Sequence, residues 1–333
     1  MRARRRFVAA IGAGALAPLS SLAPLAVLAQ QQASKVARIG WLGTASAAGY
    51  LREMDAIRAS LRELGYVEGR NIVIEYRWAE GNPERLKAMA AELVALKLDV
   101  IITHAITGPR ALGQATKTIP IVIADSADPV AAGLVASLAR PGGNITGSTS
   151  FQTEIHAKRL ELLKEALPRI TRVAVLCDPS NPPFVTNLKS LEAAAKTTNV
   201  ELHQFPVRES GDFPGAFSAM AKTKVDAAVI VEDPLLNANL VVIAGLAALQ
   251  RIPTVGTTNF AVDGGLLGYG ANRAVVFGRA AYFVDRILKG TKPGDLPIER
   301  TTRFEFIDNM KTAKALGIKI PNSILVQATK VIE

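Results

Sequence analysis

Six polar segments each follow a short apolar run, and they hold most of the side chains that could bind or transform a ligand. In the first half they are Gly43-Thr44-Ala45-Ser46, His104-Ala105-Ile106-Thr107-Gly108 and Asp125-Ser126-Ala127-Asp128-Pro129. In the second half they are Asp178-Pro179-Ser180-Asn181, Glu232-Asp233-Pro234 and Thr257-Thr258-Asn259. Carboxylates, hydroxyls and amides on such loops suit hydrogen bonding to a small polar ligand. The candidate ligand-binding residues of the first half are Trp41, Thr44, Thr107, Ser126 and Asp128. Those of the second are Asn181, Glu232, Asp233, Thr257 and Tyr269. Trp41 and Tyr269 enter because an aromatic ring at a strand end can floor a pocket.

Each candidate also has a plainer reading. Thr44 and Thr107 make good helix N-caps. Asp128 and Asp178 precede proline and suit turn initiation. Glu232-Asp233 suits a helix start, and the two aromatics suit ordinary packing. His104 fits a satisfied loop histidine better than a catalytic base, and Cys177 an inert core thiol.

Enzyme signatures are missing. There is no G-x-S-x-G elbow, no Walker A sequence and no G-x-G-x-x-G after the first strand. The glycine-rich Gly264–Gly270 segment comes late and leads into Ala-Asn-Arg. The three histidines are scattered, and a single cysteine rules out an internal disulfide, a multi-cysteine zinc site and a CxxC motif. Neither a metal, a cofactor nor catalysis is expected. Aromatics at 5% argue against base-stacking platforms for nucleic acid.

The elements that must position these loops follow a regular programme. Val36–Leu42, Asn71–Trp78, Asp99–Thr103 and Pro120–Ala124 read as strands; Tyr50–Leu64, Pro83–Leu96 and Pro109–Thr116 read as helices. Continuous apolar strands alternating with helices imply parallel sheets covered on both faces. The programme then restarts: Arg38-Ile-Gly-Trp-Leu opens one half, and Arg172-Val-Ala-Val-Leu the other. Helices over Phe184–Thr197 and Asp212–Lys222 flank a strand over Val200–Val207 in the same order. Two similar lobes follow, with chance likeness of generic α/β sequence as the alternative. A tail of strand (Leu266–Tyr269), helix (Arg273–Leu288), turn-rich connector, strand (Arg303–Ile307) and helix (Asn309–Leu316) exceeds one doubly wound lobe. It implies that the chain crosses between lobes more than once. Ligands of such sheets bind beyond the carboxyl ends of the strands, so the six loops should face one another across a cleft.

The first six residues include four arginines, and Phe7–Leu28 is apolar, with Val27 and Ala29 before Gln30. This is the pattern of a secretory signal peptide over residues 1–29, cleaved near Ala29. A retained membrane anchor is the weaker reading. Arg4-Arg5-x-Phe7 is similar to a twin-arginine export motif, although Ala3 and Ala9 replace its polar flanks. Loss of the segment takes the net charge from +10 to +6 with no Lys/Arg block, which argues against nucleic-acid binding. The expected location is the periplasm, and a monomer is expected.

Several strings also resemble a known family. Ile39-Gly-Trp-Leu, Leu64-Gly-Tyr-Val-Glu-Gly-Arg-Asn, Asp128-Pro-Val-Ala-Ala-Gly-Leu-Val, Arg140-Pro-Gly-Gly-Asn-Ile-Thr-Gly and Lys311-Thr-Ala-Lys-Ala-Leu-Gly resemble ABC-transporter substrate-binding proteins related to tryptophan-binding receptors. The likeness spans Val36 to Glu333. It implies the α/β type I periplasmic-binding-protein fold, with two Rossmann-like lobes and a multi-strand hinge. The implied lobes are residues 36–148 plus about 271–302, and 149–270 plus about 303–333. The implied crossings fall just after Gly147, near Gly270 and near Arg303, and Gly147–Thr153 is expected to be a hinge strand. The implied partners are a small-molecule ligand, an amino acid or related compound, and an inner-membrane ABC permease with its ATPase. The alternatives are a sensing module that presents its closed form to a membrane signalling partner and, further off, an exported hydrolase.

Overall fold

A computed structural model describes residues 36–150 and 152–333; the signal peptide expected over residues 1–29 lies outside the described residues. Each apolar run becomes a strand whose residues are buried from both sides. The chain begins with β1 (Ala37–Gly43), α1 (Leu51–Glu63), β2 (Ile72–Trp78), α2 (Pro83–Ala95), β3 (Val100–Thr103), α3 (Thr107–Ala115), β4 (Ile121–Ile123) and β5 (Ile145–Thr149). Local chemistry sets the boundaries. Asn82 accepts the Glu84 and Arg85 N–H groups at 2.9 and 3.0 Å, and Pro83 occupies the first turn of α2.

The second set runs α4 (Gln152–Ala166), β6 (Arg172–Cys177), α5 (Phe184–Thr198), β7 (Glu201–Pro206), α6 (Phe213–Thr223), β8 (Ala227–Ile230), α7 (Pro234–Asn237), α8 (Leu240–Leu249), β9 (Thr254–Gly256), α9 (Thr258–Val262) and β10 (Leu267–Ala271). The chain then returns through α10 (Arg273–Gly278), α11 (Ala280–Leu288) and β11 (Glu299–Arg300). It ends with β12 (Phe304–Asn309), α12 (Met310–Leu316), α13 (Asn322–Leu325) and β13 (Lys330–Ile332).

Two sheets result. One has the order β11-β5-β4-β3-β1-β2, the other β13-β12-β10-β9-β8-β6-β7. All pairings are parallel except β10 with β12. Apolar clusters cover both faces of each sheet. Buried Phe213 and Phe217 under the second sheet each contribute roughly 1.5–3 kcal/mol by removal from water.

The chain passes between the sheets three times: from β5 to α4, from β10 to α10 and from β11 to β12. The expectation of a hinge strand over Gly147–Thr153 needs correction. Ile145–Thr149 is buried between β4 and β11 in the first sheet, and the passage begins only at Ser150. Gly147 has φ +137°, and a Cβ there would overlap the backbone of Ile123 on β4. Its glycine serves strand packing. The helix expected over Arg273–Leu288 is two helices, because the Tyr282 N–H bonds the Arg279 carbonyl in a tightened i to i+3 turn. No described helix is long and apolar enough to cross a membrane.

Candidate functional site

The carboxyl ends of the two sheets converge on a narrow polar gap. From the first lobe Tyr50, His104, Asp125, Ser126, Arg273 and Phe277 line it; from the second, Asn181, Glu232, Asp233 and Asn237. An organic ligand enters such a gap only if the lobes part and shut again around it.

One side of the gap is a buried ionic corner. Asn272 caps α10 and sets Arg273 at its first residue. The Arg273 Nε donates to Glu53 Oε1 at 2.9 Å, and Nη1 lies 3.6 Å from Glu232 Oε1. Its guanidinium sits 5.3 Å from the Tyr50 ring centre and 4.9 Å from that of Phe277, a cation–π arrangement. Arg159, fully buried on α4, donates through Nη2 to the other Glu232 oxygen at 3.0 Å and through Nε to the Tyr269 carbonyl at 2.7 Å. Two arginines and two glutamates balance. Burial pushes the Tyr50 hydroxyl pKa upward, so it stays protonated.

Two further carboxylates have no ion-pair partner among the described residues. Asp125, after β4, accepts the Ser150 hydroxyl at 2.7 Å; burial, then the charge of Glu232, pushes its pKa up to about 7. Asp233, after β8, accepts the Leu235 and Leu236 N–H groups at 2.6 and 3.2 Å. Burial, then the charge of Asp178, pushes it up to about 7 as well. One carboxylate comes from each lobe.

His104 is a fixed neutral group. The Thr44 N–H donates to its Nε2 at 3.2 Å, so the ring proton belongs on Nδ1. Burial, then the charge of Arg273, lowers its pKa to about 3. The ring stacks on Trp41 at 5.7 Å and packs against Tyr50 at 4.4 Å.

Of the residues singled out from sequence, Ser126, Asn181, Glu232 and Asp233 line the gap. The others do not. Trp41 lies one layer behind His104, and Thr44 acts through its backbone on that ring. Thr107 is merely the first residue of α3. Asp128 is exposed and lies outside the gap, where its Oδ1 accepts the Val130 and Ala131 N–H groups of the Asp-Pro turn at 2.9 and 3.0 Å. Thr257 caps α9 through a bond from the Phe260 N–H. Tyr269 offers Arg159 its carbonyl while its ring stacks on Phe304. Sequence reading missed Tyr50, Asp125, Arg273 and Phe277 and discounted His104. Asp125 sat in a flagged loop beside Ser126, and that adjacency was the available signal.

Comparison with known proteins gives the geometry a family. Residues 42–332 match the family model described as ABC transporter substrate binding protein. A tyrosine-binding protein of Clostridioides difficile is 29% identical over 261 residues, 78% of this chain and 75% of that protein. The structure is similar to the ABC domain in complex with L-Trp from Streptococcus pneumoniae, with TM-score 0.80 and 26% identity over 89% of this chain and 99% of the other. It is also similar to a conserved domain protein of Vibrio cholerae, with TM-score 0.82 and 28% identity over 89% and 100% of the two chains. With two parallel-dominated lobes, a polar gap at their strand ends and a match across nearly the whole described chain, this protein belongs to the ABC transporter substrate-binding proteins, which hold a small solute for a membrane transporter.

Proposed function

We propose that the cleft captures an L-amino acid with an aromatic side chain, without turnover, and that residues 1–29 direct the chain to the periplasm, where it works as a monomer. The observation that carries the ligand reading is the pair Asp125 and Asp233, buried, facing one gap from opposite lobes and lacking a cation of their own. Such carboxylates are costly until a positive group arrives between them. An ammonium group supplies it and meets both only when the lobes shut, so binding shifts the population toward the closed form. The ligand carboxylate suits the remaining N–H donors of Arg273. A ligand ring suits the wall of Tyr50, His104 and Phe277. The tyrosine-binding relative and the neighbour holding L-Trp support the same class.

The test is a thermal-shift and calorimetry series with L-tyrosine, L-tryptophan, tyramine and 3-(4-hydroxyphenyl)propanoate. An aromatic amino acid at 100 times its dissociation constant should add about 2.7 kcal/mol of stability. Tyramine should bind more weakly, and the acid lacking an ammonium should bind weakest. Equal binding of that acid and L-tyrosine would remove the assigned role of Asp125 and Asp233.

A further inference from the structure

Beside the gap, the two lobes meet backbone to backbone at one point. Gly49 lies in a 3-10 turn, Ala48–Tyr50, just before α1; Ala238 joins α7 to α8 in the other lobe. A Cβ placed on Gly49 would overlap the Cα and Cβ of Ala238 and lie 2.7 Å from its carbonyl oxygen. Those three atoms are the nearest it would meet, and none belongs to the first lobe. Gly49 is not among the glycines with positive φ, so its backbone suits any residue. The nearest obstacle to a side chain there is the opposite lobe.

The surroundings make this contact a seam. Ala238 packs against the apolar cluster of the first lobe that contains Tyr50 and Phe277. Arg52 donates through both terminal nitrogens to Asp263 at 3.1 and 2.5 Å, and Asn259 donates to Glu53 at 3.1 Å. Both contacts join one lobe to the other. They border a groove of about 310 Å3 that also touches Gly49 and Ala238.

We propose that Gly49 is a positioning residue for capture: its missing Cβ lets the lobes shut fully over the gap, although it touches no ligand itself. Tyr50 follows it directly, and Glu53 on the next turn holds Arg273. Lobes held apart at Gly49 therefore also pull Arg273 away from Glu232 and admit water, which weakens every charge interaction in the gap. Within its own lobe an alanine at 49 is the better helical residue. Gly49→Ala thus leaves the fold of its own lobe intact while it obstructs closure. A merely structural glycine would behave in the opposite way.

Closure can be read without any ligand. Arg52→Cys/Asp263→Cys carries two thiols that come together only when the lobes shut, and the native Cys177 is buried. The rate of cross-linking by a short bismaleimide is followed by gel shift in this parent and with Gly49→Ala added. The rate should fall at least threefold, with the far-ultraviolet circular dichroism of the parent kept. Gly245→Ala, in α8 where a Cβ meets open space, should leave the rate unchanged. A smaller fall with Gly49→Ala overturns the proposal, and so does a loss of native circular dichroism, which marks a clash inside the first lobe. A parent that does not cross-link overturns it too, because the lobes then fail to approach as described. Since no ligand enters the experiment, its outcome is separate from the question of ligand identity.

Discussion

The gap is lined by two kinds of buried carboxylate, side by side in sequence at Glu232 and Asp233. Glu232 is bound by an arginine from each lobe; Asp233, its neighbour, has backbone and amide donors but no cation. The ionic corner of Glu53, Glu232, Arg159 and Arg273 is neutral in sum, whereas Asp125 and Asp233, in the same low-dielectric space, have no ion-pair partner among the described residues, and burial raises the pKa of both to about 7. Burial of charge is common to both, so burial alone does not mark a binding group. The imbalance does: a saturated corner holds the architecture, and an unsaturated pair waits for a cation.

The strongest way to break this contrast is to unbalance the corner. Arg159→Met would leave Glu232 buried with a single partner 3.6 Å away and should cost about 3–5 kcal/mol in urea unfolding. A loss below about 1 kcal/mol would put the corner in the same class as the pair.

The pair should respond with the reverse signature. Asp125→Asn keeps an acceptor for Ser150 but removes the charge. Affinity for L-tyrosine should fall by about 1.5–3 kcal/mol, or about 10- to 150-fold, in calorimetry, with unliganded stability unchanged or higher. The pH dependence follows from the same groups. Their folded pKa of about 7 lies above the ordinary carboxylate value of 3.8, so the protonated forms favour the folded state. That contribution is complete below about pH 4 and lost as pH rises through 7. Ligand capture needs the ionised forms and strengthens over the upper part of that window. Melting scans from pH 5 to 8 should therefore show a falling unliganded midpoint and a growing ligand-induced shift. Asp125→Asn should flatten both.

The smallest effect sharpens the boundary of the site. Asp128→Ala removes the acceptor for two turn N–H groups and should cost about 0.5–2 kcal/mol of stability. Affinity measured on the folded fraction should stay within about twofold, since about 0.4 kcal/mol corresponds to that factor. A larger loss would return Asp128 to the gap.

What could be read beforehand divides along physical lines. Strand runs such as Val173–Leu176 are apolar throughout because both faces are covered, and that two-sided burial is visible in sequence. The loops after them could be placed at one edge, so Ser126, Asn181, Glu232 and Asp233 were accessible. Arg273 was not: it stands after the second passage between lobes, far in sequence from Glu53, and only the return of the chain beside α1 brings them together. Tyr50 and Phe277 read as helix residues with an apolar face, which they are; that this face ends at the gap is a tertiary fact. Asp128 and Thr257 stand outside the gap, each bonded to the backbone of its own turn or helix start.

The three passages between the sheets carry a mechanical consequence. Two bodies joined by one strand can tumble, and joined by two they can still twist about the line between the ties. A third tie removes the twist and leaves a swing like that of a door. Occupancy of the gap is then converted into one angle. A membrane partner resting on both lobes needs no access to the solute at all: it reads a door as shut or ajar.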